Sequence, residues 1–310
     1  MDDGPRSDPA EPAYAVVLRG VRCAAGGRTV LDDVDMAVPS GSRYALTGGN
    51  GAGKSVLLRL LAGLAAPARG TVTVFGEPPG APQAAAETGI AVPLDLSRTA
   101  RDALAEVARA QAGDGVDGTA GTEEAVERRV AHALKRTGLA GRADLAASAR
   151  TSGDLRRLTI ASALVTPRAL VLLDDPFAGL DAEGVAEVAR LCGELSDDGV
   201  TLVLASRPHP ALDDLATHVG VLRDGRLVTE GPVADVRAAV PSHVTVRTRD
   251  VILALGVLRG LGVTDLTAHR DHLTGALSAE VPIDRVIRAL VHGGVRVTSV
   301  TPAPPPYAAP

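Results

Sequence analysis

The stretch Gly48-Gly49-Asn50-Gly51-Ala52-Gly53-Lys54-Ser55 carries two glycines separated by four residues and followed by Lys and Ser. That is the spacing of a phosphate-binding loop. Glycines let the backbone turn so that successive N–H groups point at phosphate oxygens. The helix expected from Val56 to Leu64 then presents its positive N-terminal end to the same anion. Lys54 adds a compact cation for the outer phosphates, and the Ser55 hydroxyl suits a Mg²⁺ ligand. A strand-like run from Arg43 to Thr47 precedes the loop and an apolar helix follows it, the context that the pattern requires. Such a chain is expected to hold a nucleotide triphosphate at the edge of an α/β sheet.

Composition sets the surrounding bounds. The chain has 310 residues, 45% of them hydrophobic, enough for one large α/β domain and a smaller one. Aromatic residues make up only 2%, with no Trp, so the core is built from Ala, Val and Leu. A net charge of −5 offers no basic footprint for nucleic acid. Cys23 and Cys192 lie far apart and near no Cys/His cluster, and read as free thiols. Residues 1–12 are acidic and proline-containing, an expected disordered N-terminus rather than a signal peptide. No apolar run approaches the roughly 18 residues that span a bilayer.

The order of expected elements gives the architecture. A strand from Ala13 to Leu18, a turn at Ala24 to Arg28 and further strands lead into the loop, and Gly70 to Gly76 alternates as another strand. From Thr99 to about Arg136 the pattern is helical, interrupted by a glycine-rich loop at residues 113–118. A helix from Leu155 to Leu164 precedes the apolar run Ala169 to Leu173, which ends in Asp174 and Asp175. Acids at the carboxyl edge of a buried strand mark the ligand side of a parallel sheet. A helix from Val185 to Leu195, a strand from Val200 to Ala205 and a hairpin about Asp224-Gly225 close this domain at residue 238. Residues 239–300 read as β-α-β-β-α-β, the order of a small ferredoxin-like domain, and residues 301–310 form a Pro-rich tail.

With the loop, Leu172-Leu173-Asp174-Asp175-Pro176, Ala178-Gly179-Leu180-Asp181 and Val221 to Leu227 in hand, the chain resembles an ATP-binding cassette (ABC) transporter ATPase from about Tyr14 to Pro232. The C-terminal piece is similar in place and size to that of the daunorubicin-type drug-exporter ATPases. The resemblance implies a P-loop NTPase fold of the ABC ATPase type: a β subdomain, a parallel-sheet core, a helical subdomain at about 96–155 and a small α+β C-terminal domain. It also implies ATP and Mg²⁺ as cofactors, the ATP contacted through residues 48–55 and Val56. Asp174 matches the acid that orders the Mg²⁺ water shell, and Asp95 aligns with the Mg²⁺-contacting glutamine. The segment ending at Asp181 matches the loop through which two cassettes communicate.

Other positions depart from the family. Gly49 stands where proline is usual and Val56 where a second hydroxyl is common. Asp175 occupies the place of the catalytic glutamate, withdrawing the base by roughly 1.5 Å, one C–C bond; the alternative is a merely structural carboxylate at a strand end. Arg207 falls at the switch histidine, where it either pairs with Asp175 and touches the γ-phosphate or is a surface arginine; His209, held between two prolines, takes no role. The signature segment, which in a family dimer closes over the opposite subunit's γ-phosphate, aligns with Arg150-Thr151-Ser152-Gly153-Asp154, so the resemblance implies Thr151, Ser152 and Gly153 as further ATP contacts. Thr151 keeps a hydroxyl, Ser152 adds a Cβ where close approach is wanted, and Asp154 is expected to put a negative charge near phosphate. Ala25 replaces the aromatic that stacks on adenine, forfeiting about 1–3 kcal/mol if base stacking elsewhere is a guide.

These readings imply an ATP-binding subunit of an ABC transporter, a homodimer or heterodimer that couples ATP binding or slow hydrolysis to a separate membrane permease, with export the direction that the C-terminal resemblance implies. It would sit in the cytoplasm, peripheral on the inner face of the cell membrane, and would contact no nucleic acid. The alternative is a regulatory subunit that binds ATP and hardly hydrolyses it.

Overall fold

The computed structural model describes residues 13–91, 94, 98–111, 122–145, 151–239, 242–277 and 281–303. The chain divides into two compact units, Met1–Glu230 and Gly231–Pro310. That division falls eight residues before the boundary expected at 238/239.

In the first unit, β1 (Tyr14–Ala25) and β2 (Arg28–Pro39) form an antiparallel hairpin. Its turn is made by Gly26 and Gly27, both at positive φ. β3 (Arg43–Thr47) leads to the loop and α1 (Lys54–Leu61), and β4 (Arg69–Val74) returns to pair with β1. α2 (Pro82–Glu87) and the short β5 (Thr88–Ile90) follow. The helical subdomain holds α3 (Ala100–Gln111), α4 (Glu123–Arg136) and α5 (Ser152–Leu164). Leu104, Val126, Val130, Leu134 and Leu158 make its core. With Ala100 and Ala108 on α3, Ala133 on α4 and Ala161 on α5, the buried positions recur at three or four residues and put one apolar stripe on each helix. The glycine-rich interruption at 113–118 lies outside the described residues.

β6 (Leu170–Asp174), α6 (Ala182–Asp197), β7 (Thr201–Ser206), α7 (Pro210–Leu215), β8 (His218–Arg223) and β9 (Arg226–Pro232) complete the central sheet, in the order β5-β6-β7-β3-β8-β9. The pairings of β5 with β6, β6 with β7, β7 with β3 and β3 with β8 are parallel. Covered on both faces, β7 is buried at every position, which is why it reads as an unbroken apolar run. Asp224 and Gly225 both take positive φ, the requirement of the tight turn expected between β8 and β9. α2 and α7 escaped the sequence reading because each is six residues long and begins at proline, which looks like a break but suits a first helical turn.

The second unit begins with α8 (Val233–Ala239) and β10 (Ser242–Thr248). It continues through α9 (Val251–Gly260), β11 (Thr264–Ala268), β12 (His272–Leu277), α10 (Ile283–His292) and β13 (Val297–Ala303). The four strands form an antiparallel sheet in the order β11-β12-β10-β13. β13 runs three residues into the segment expected as tail, with Pro302 opposite Val244 on an edge strand, where a missing N–H is tolerated.

A side-chain hydrogen bond also links β3 to β9 across β8. Tyr44 on β3 is fully buried and its hydroxyl donates to Glu230 Oε1 at 2.8 Å. Burial raises the tyrosine's pKa, and the neighbouring Glu230 raises it further. On β8 beside it, a Cβ at Gly220 would lie 2.1 Å from Tyr44 Oη and 2.9 Å from Cζ. Gly220→Ala is therefore expected to destabilise the unit by about 1–3 kcal/mol, and by less in a Tyr44→Phe background, where the closest atom is gone. Urea unfolding of the four proteins measures this; the same loss in both backgrounds would contradict it.

Candidate nucleotide-binding site

The loop begins at the carboxyl end of β3, between β7 and β8. Thr47 is the last residue in register with both neighbours, opposite Ser206 and Val221. There the backbone is crowded. A Cβ on Gly48 (φ 158°) would lie 2.2 Å from the Leu222 carbonyl oxygen, and one on Gly53 (φ 107°) 2.7 Å from a Leu31 methyl. Gly51, at φ 76°, has open space and needs glycine for its conformation alone. Gly49, Asn50 and Gly51 are exposed and Ala52 is buried.

Gly53 caps α1 from the left-handed region, and no side chain caps that end. The first-turn amides of α1 are thus left to an anion. Lys54 folds back over the loop: its Nζ donates to the carbonyls of Gly48 and Gly49 at 2.8 and 2.9 Å, and the residue is only 8% exposed. Burial lowers its pKa, Asp175 and Asp174 oppose that shift, and Arg207 adds to it. Lys54, Asp174, Asp175 and Arg207 therefore share one electrostatic neighbourhood. Ser55 is exposed beside this cation, and Val56 is half-buried in the core behind the loop.

β6 delivers the acids. Asp174 is exposed at the strand's end, opposite Ala205 of β7. The chain then turns sharply, with Asp175 at φ 48°. The left-handed region is costly for most side chains and admits Asp more readily. The Asp175 amide donates to the Ala205 carbonyl at 2.7 Å, and its Oδ1 accepts from the Ser206 hydroxyl at 3.2 Å. Ser206, buried at the end of β7, was not singled out from the sequence; its signal is a hydroxyl one residue before the switch position. Arg207 is exposed, and among the described residues no ion pair joins it to Asp175. Of the two readings of Arg207, the pairing with Asp175 is not made in this structure, where Asp175 is held by Ser206 instead. His209 stacks on Phe177 with ring centroids 5.3 Å apart, and its Nδ1 accepts from the Ala211 amide as the N-cap of α7. Asp181 caps α6, accepting from the Gly184 amide at 2.9 Å.

The signature segment differs from the sequence expectation in one respect. Thr151 caps α5, and Asp154 sits inside the first turn as the other half of a capping box. Its side chain is fully enclosed and paired with Arg142 and with Arg157, the latter at 2.9 Å. Asp154 is thus an internal, neutralised carboxylate, not a charge aimed at phosphate. The i,i+3 spacing to Arg157 was a legible signal; Arg142, twelve residues before Asp154, was not. Arg156 of the same helix donates to the Ala178 carbonyl at 3.1 Å, linking α5 to the segment that leads to Asp181. Thr151 and Ser152 are exposed and Gly153 half-buried. Asp95 and Arg150 lie outside the described residues.

The loop, the open helix end and the paired acids define a P-loop nucleotide-binding protein. The family model described as ABC transporter matches residues 31–178. The chain is 36% identical over 234 residues to the hemin import ATP-binding protein HmuV of Streptomyces coelicolor, covering 74% of this chain and 82% of that protein. It is 31% identical over 278 residues to the daunorubicin/doxorubicin resistance ATP-binding protein DrrA of Streptomyces peucetius, covering 87% and 82%. Among solved structures, cbiO1 from Clostridium perfringens, part of the ABC transporter complex cbiONQ, superposes with a TM-score of 0.62 at 26% identity, covering 74% of this chain and 92% of that one. The chain belongs to the ABC transporter family, as one of its ATP-binding subunits.

That family binds nucleotide, generally with Mg²⁺, and this site fits both. A polyphosphate would meet the uncapped first turn of α1, Lys54 and glycines that leave no side chain in the way. Mg²⁺, which prefers hard oxygen ligands and keeps several waters, would find the exposed Ser55 hydroxyl and Asp174 carboxylate.

The Asp154 cage has a measurable signature. Burial alone would raise this carboxyl, but the Thr151 amide, Arg142 and the Thr151 hydroxyl more than reverse that and bring it to about 2. Because the folded value lies below the ordinary one, the stabilisation is complete above the unfolded value, about 3.9, and is lost as pH falls towards 2. Asp154→Asn is expected to be less stable at neutral pH and to lose stability less steeply in acid. Urea midpoints taken across that range test this, and parallel acid limbs for the two proteins would contradict it.

Proposed function

We propose that this chain binds Mg·ATP through residues 48–55 and Val56, with Ser55 and Asp174 on the metal side, and hydrolyses it slowly. In this reading it works as a dimer of cassettes on a separate membrane permease. Between import and export, we take export, the direction implied by the resemblance of the C-terminal piece; the likeness to DrrA, a daunorubicin/doxorubicin resistance ATP-binding protein, runs over 87% of the chain, more than the first unit alone holds.

The observation that carries the binding is Lys54, held over the loop carbonyls and sharing its electrostatic neighbourhood with Asp174, Asp175 and Arg207. The chain's own residues then divide the work. The loop amides and Lys54 hold the phosphates. Asp175 orients the attacking water and accepts its proton at a carboxylate oxygen, the oxygen bonded to Ser206 serving to fix the group. Arg207, exposed beside these acids, supplies positive charge to the outermost phosphate. Mg²⁺, when bound, neutralises developing charge on the phosphate oxygens. Thr151, Ser152 and Gly153, on the exposed end of α5, face the second cassette's nucleotide in the dimer.

Slow turnover follows from Asp175. The side chain is one methylene short of the family's glutamate, and its carboxylate is tethered to β7. A displacement near 1 Å costs on the order of 10²-fold in rate. A regulatory subunit that binds ATP without useful hydrolysis is the second reading, favoured by the same tether.

Asp175→Glu, which restores the missing methylene, is expected to raise kcat by about tenfold or more with little change in KM, and Asp175→Asn to remove the residual turnover. Steady-state ATPase assays of the purified chain, alone and with its permease, decide this. Turnover at the rate of an ordinary cassette, or a rate indifferent to both substitutions, would contradict the reading.

A further inference from the structure

A second cavity lies at the opposite end of the sheet from the acids. It has a volume of about 480 Å³ and is enclosed by α4, the connection from α5 to β6, and the end of α6 with Val200. β6 separates the two sites: Thr166 to Arg168 precede its first residue, and Asp174 is its last. Five residues at about 3.3 Å each put them roughly 16 Å apart. Ligand sites of parallel sheets lie at the carboxyl ends of strands, so this cavity is separate from the nucleotide cradle.

Its walls combine two chemistries. Leu164, Val165, Pro167, Leu195 and Val200 give it an apolar floor. Arg128, Arg129, Arg136, Arg168 and His132 also line it, against one lining carboxylate, Asp198. Asp198 is engaged by Arg136 Nη1 at 2.7 Å, and Arg128 is paired with Glu124 at 3.0 Å. Arg129 Nη1, Arg136 Nη2 and Thr166 Oγ1 are buried atoms with no hydrogen-bond partner in the protein. Burial lowers the Arg168 pKa, and although Glu87 opposes this, the like charge of Arg129 adds to it. Leaving a buried donor unsatisfied is costly, and more so when it is charged. Four arginines against one lining carboxylate make the wall positive, and with guanidinium nitrogens of Arg129 and Arg136 left unsatisfied within it the cavity favours an occupant bearing negative charge.

We propose that this cavity is a binding site for a small amphipathic organic anion. Its carboxylate or phosphate head accepts from Arg129, Arg136 and Thr166, and its hydrocarbon part lies on Leu164, Val165 and Leu195. The volume falls in the range of small-molecule sites. Val165 ends α5, whose first turn is the signature segment, so a bound anion would rest against the far end of that helix.

Calorimetric titration of the full chain, saturated with Mg·ADP so that the nucleotide cradle is filled, tests this with octyl phosphate, octanoate, octanol and inorganic phosphate as probes. Octyl phosphate or octanoate is expected to bind one to one, and whichever binds more tightly names the head group. Octanol and inorganic phosphate, each lacking one half of the chemistry, are expected to bind at least tenfold more weakly. Arg129→Gln and Arg136→Gln are each expected to weaken the binding about tenfold or more, whereas Arg190→Gln, on the exposed face of α6, leaves it unchanged. Circular dichroism confirms that the variants fold, and the unmodified chain tests the proposal whatever they do. No binding of either anionic probe, equal binding of octanol, or affinities indifferent to Arg129 and Arg136 would overturn it. A site filled only by water gives the first of these results. Because the readout uses no ATP turnover, failure here leaves the nucleotide reading untouched.

Discussion

The structure depends on how closely backbone segments approach one another behind the phosphate loop. Gly48 lies against the Leu222 carbonyl, Gly53 against Leu31, and Gly225 close enough that a Cβ would lie 2.3 Å from the Val30 carbonyl oxygen. Three parts of the chain, distant in sequence, meet where only hydrogen fits. That meeting fixes the start of α1 relative to β3 and β8, and so fixes the direction in which the uncapped amides point. Lys54 completes the cradle, its ammonium spanning two loop carbonyls while buried. A cation held this way has lost water and gains most from an anion beside it, because interactions in a low-dielectric setting are less screened.

Around this cradle the residues that would cut the nucleotide are arranged differently from those that would hold it. Asp175 turns through the left-handed region and is tied to Ser206, so its carboxylate is both shorter and more constrained than a free glutamate. Arg207 stands near without pairing to it. At the signature helix, Asp154 is withdrawn into a capping box and an arginine cage. The acid at this position thus completes a helix cap and leaves the exposed face of Thr151 and Ser152 free of added negative charge.

Most of the fold was readable from residue order. β6 and β7 announce themselves as short apolar runs because both faces are covered, and the Asp224-Gly225 turn because its backbone geometry admits few residues. α2 and α7 were not legible, since a single turn or two opening at proline carries no periodicity. The cradle was legible because its chemistry is local and uses fixed spacing. What sequence could not supply were partners brought together by tertiary folding: Ser206 for Asp175, Arg142 for Asp154, and the orphaned donors of Arg129, Arg136 and Thr166 around one cavity. Asp154 misled for the same reason, since a carboxylate's effect depends on which way it faces, and the capping box turns this one inward.

The function proposed for this chain requires an intact cradle that grips triphosphate. Equilibrium titration of the isolated chain with ATP, with and without Mg²⁺ and repeated with Lys54→Met, tests it most directly. Saturable, Mg²⁺-strengthened binding to the unmodified chain is expected, weakened about tenfold or more when the ammonium is removed. Absence of measurable ATP affinity, or affinity that ignores both Mg²⁺ and Lys54, would contradict it.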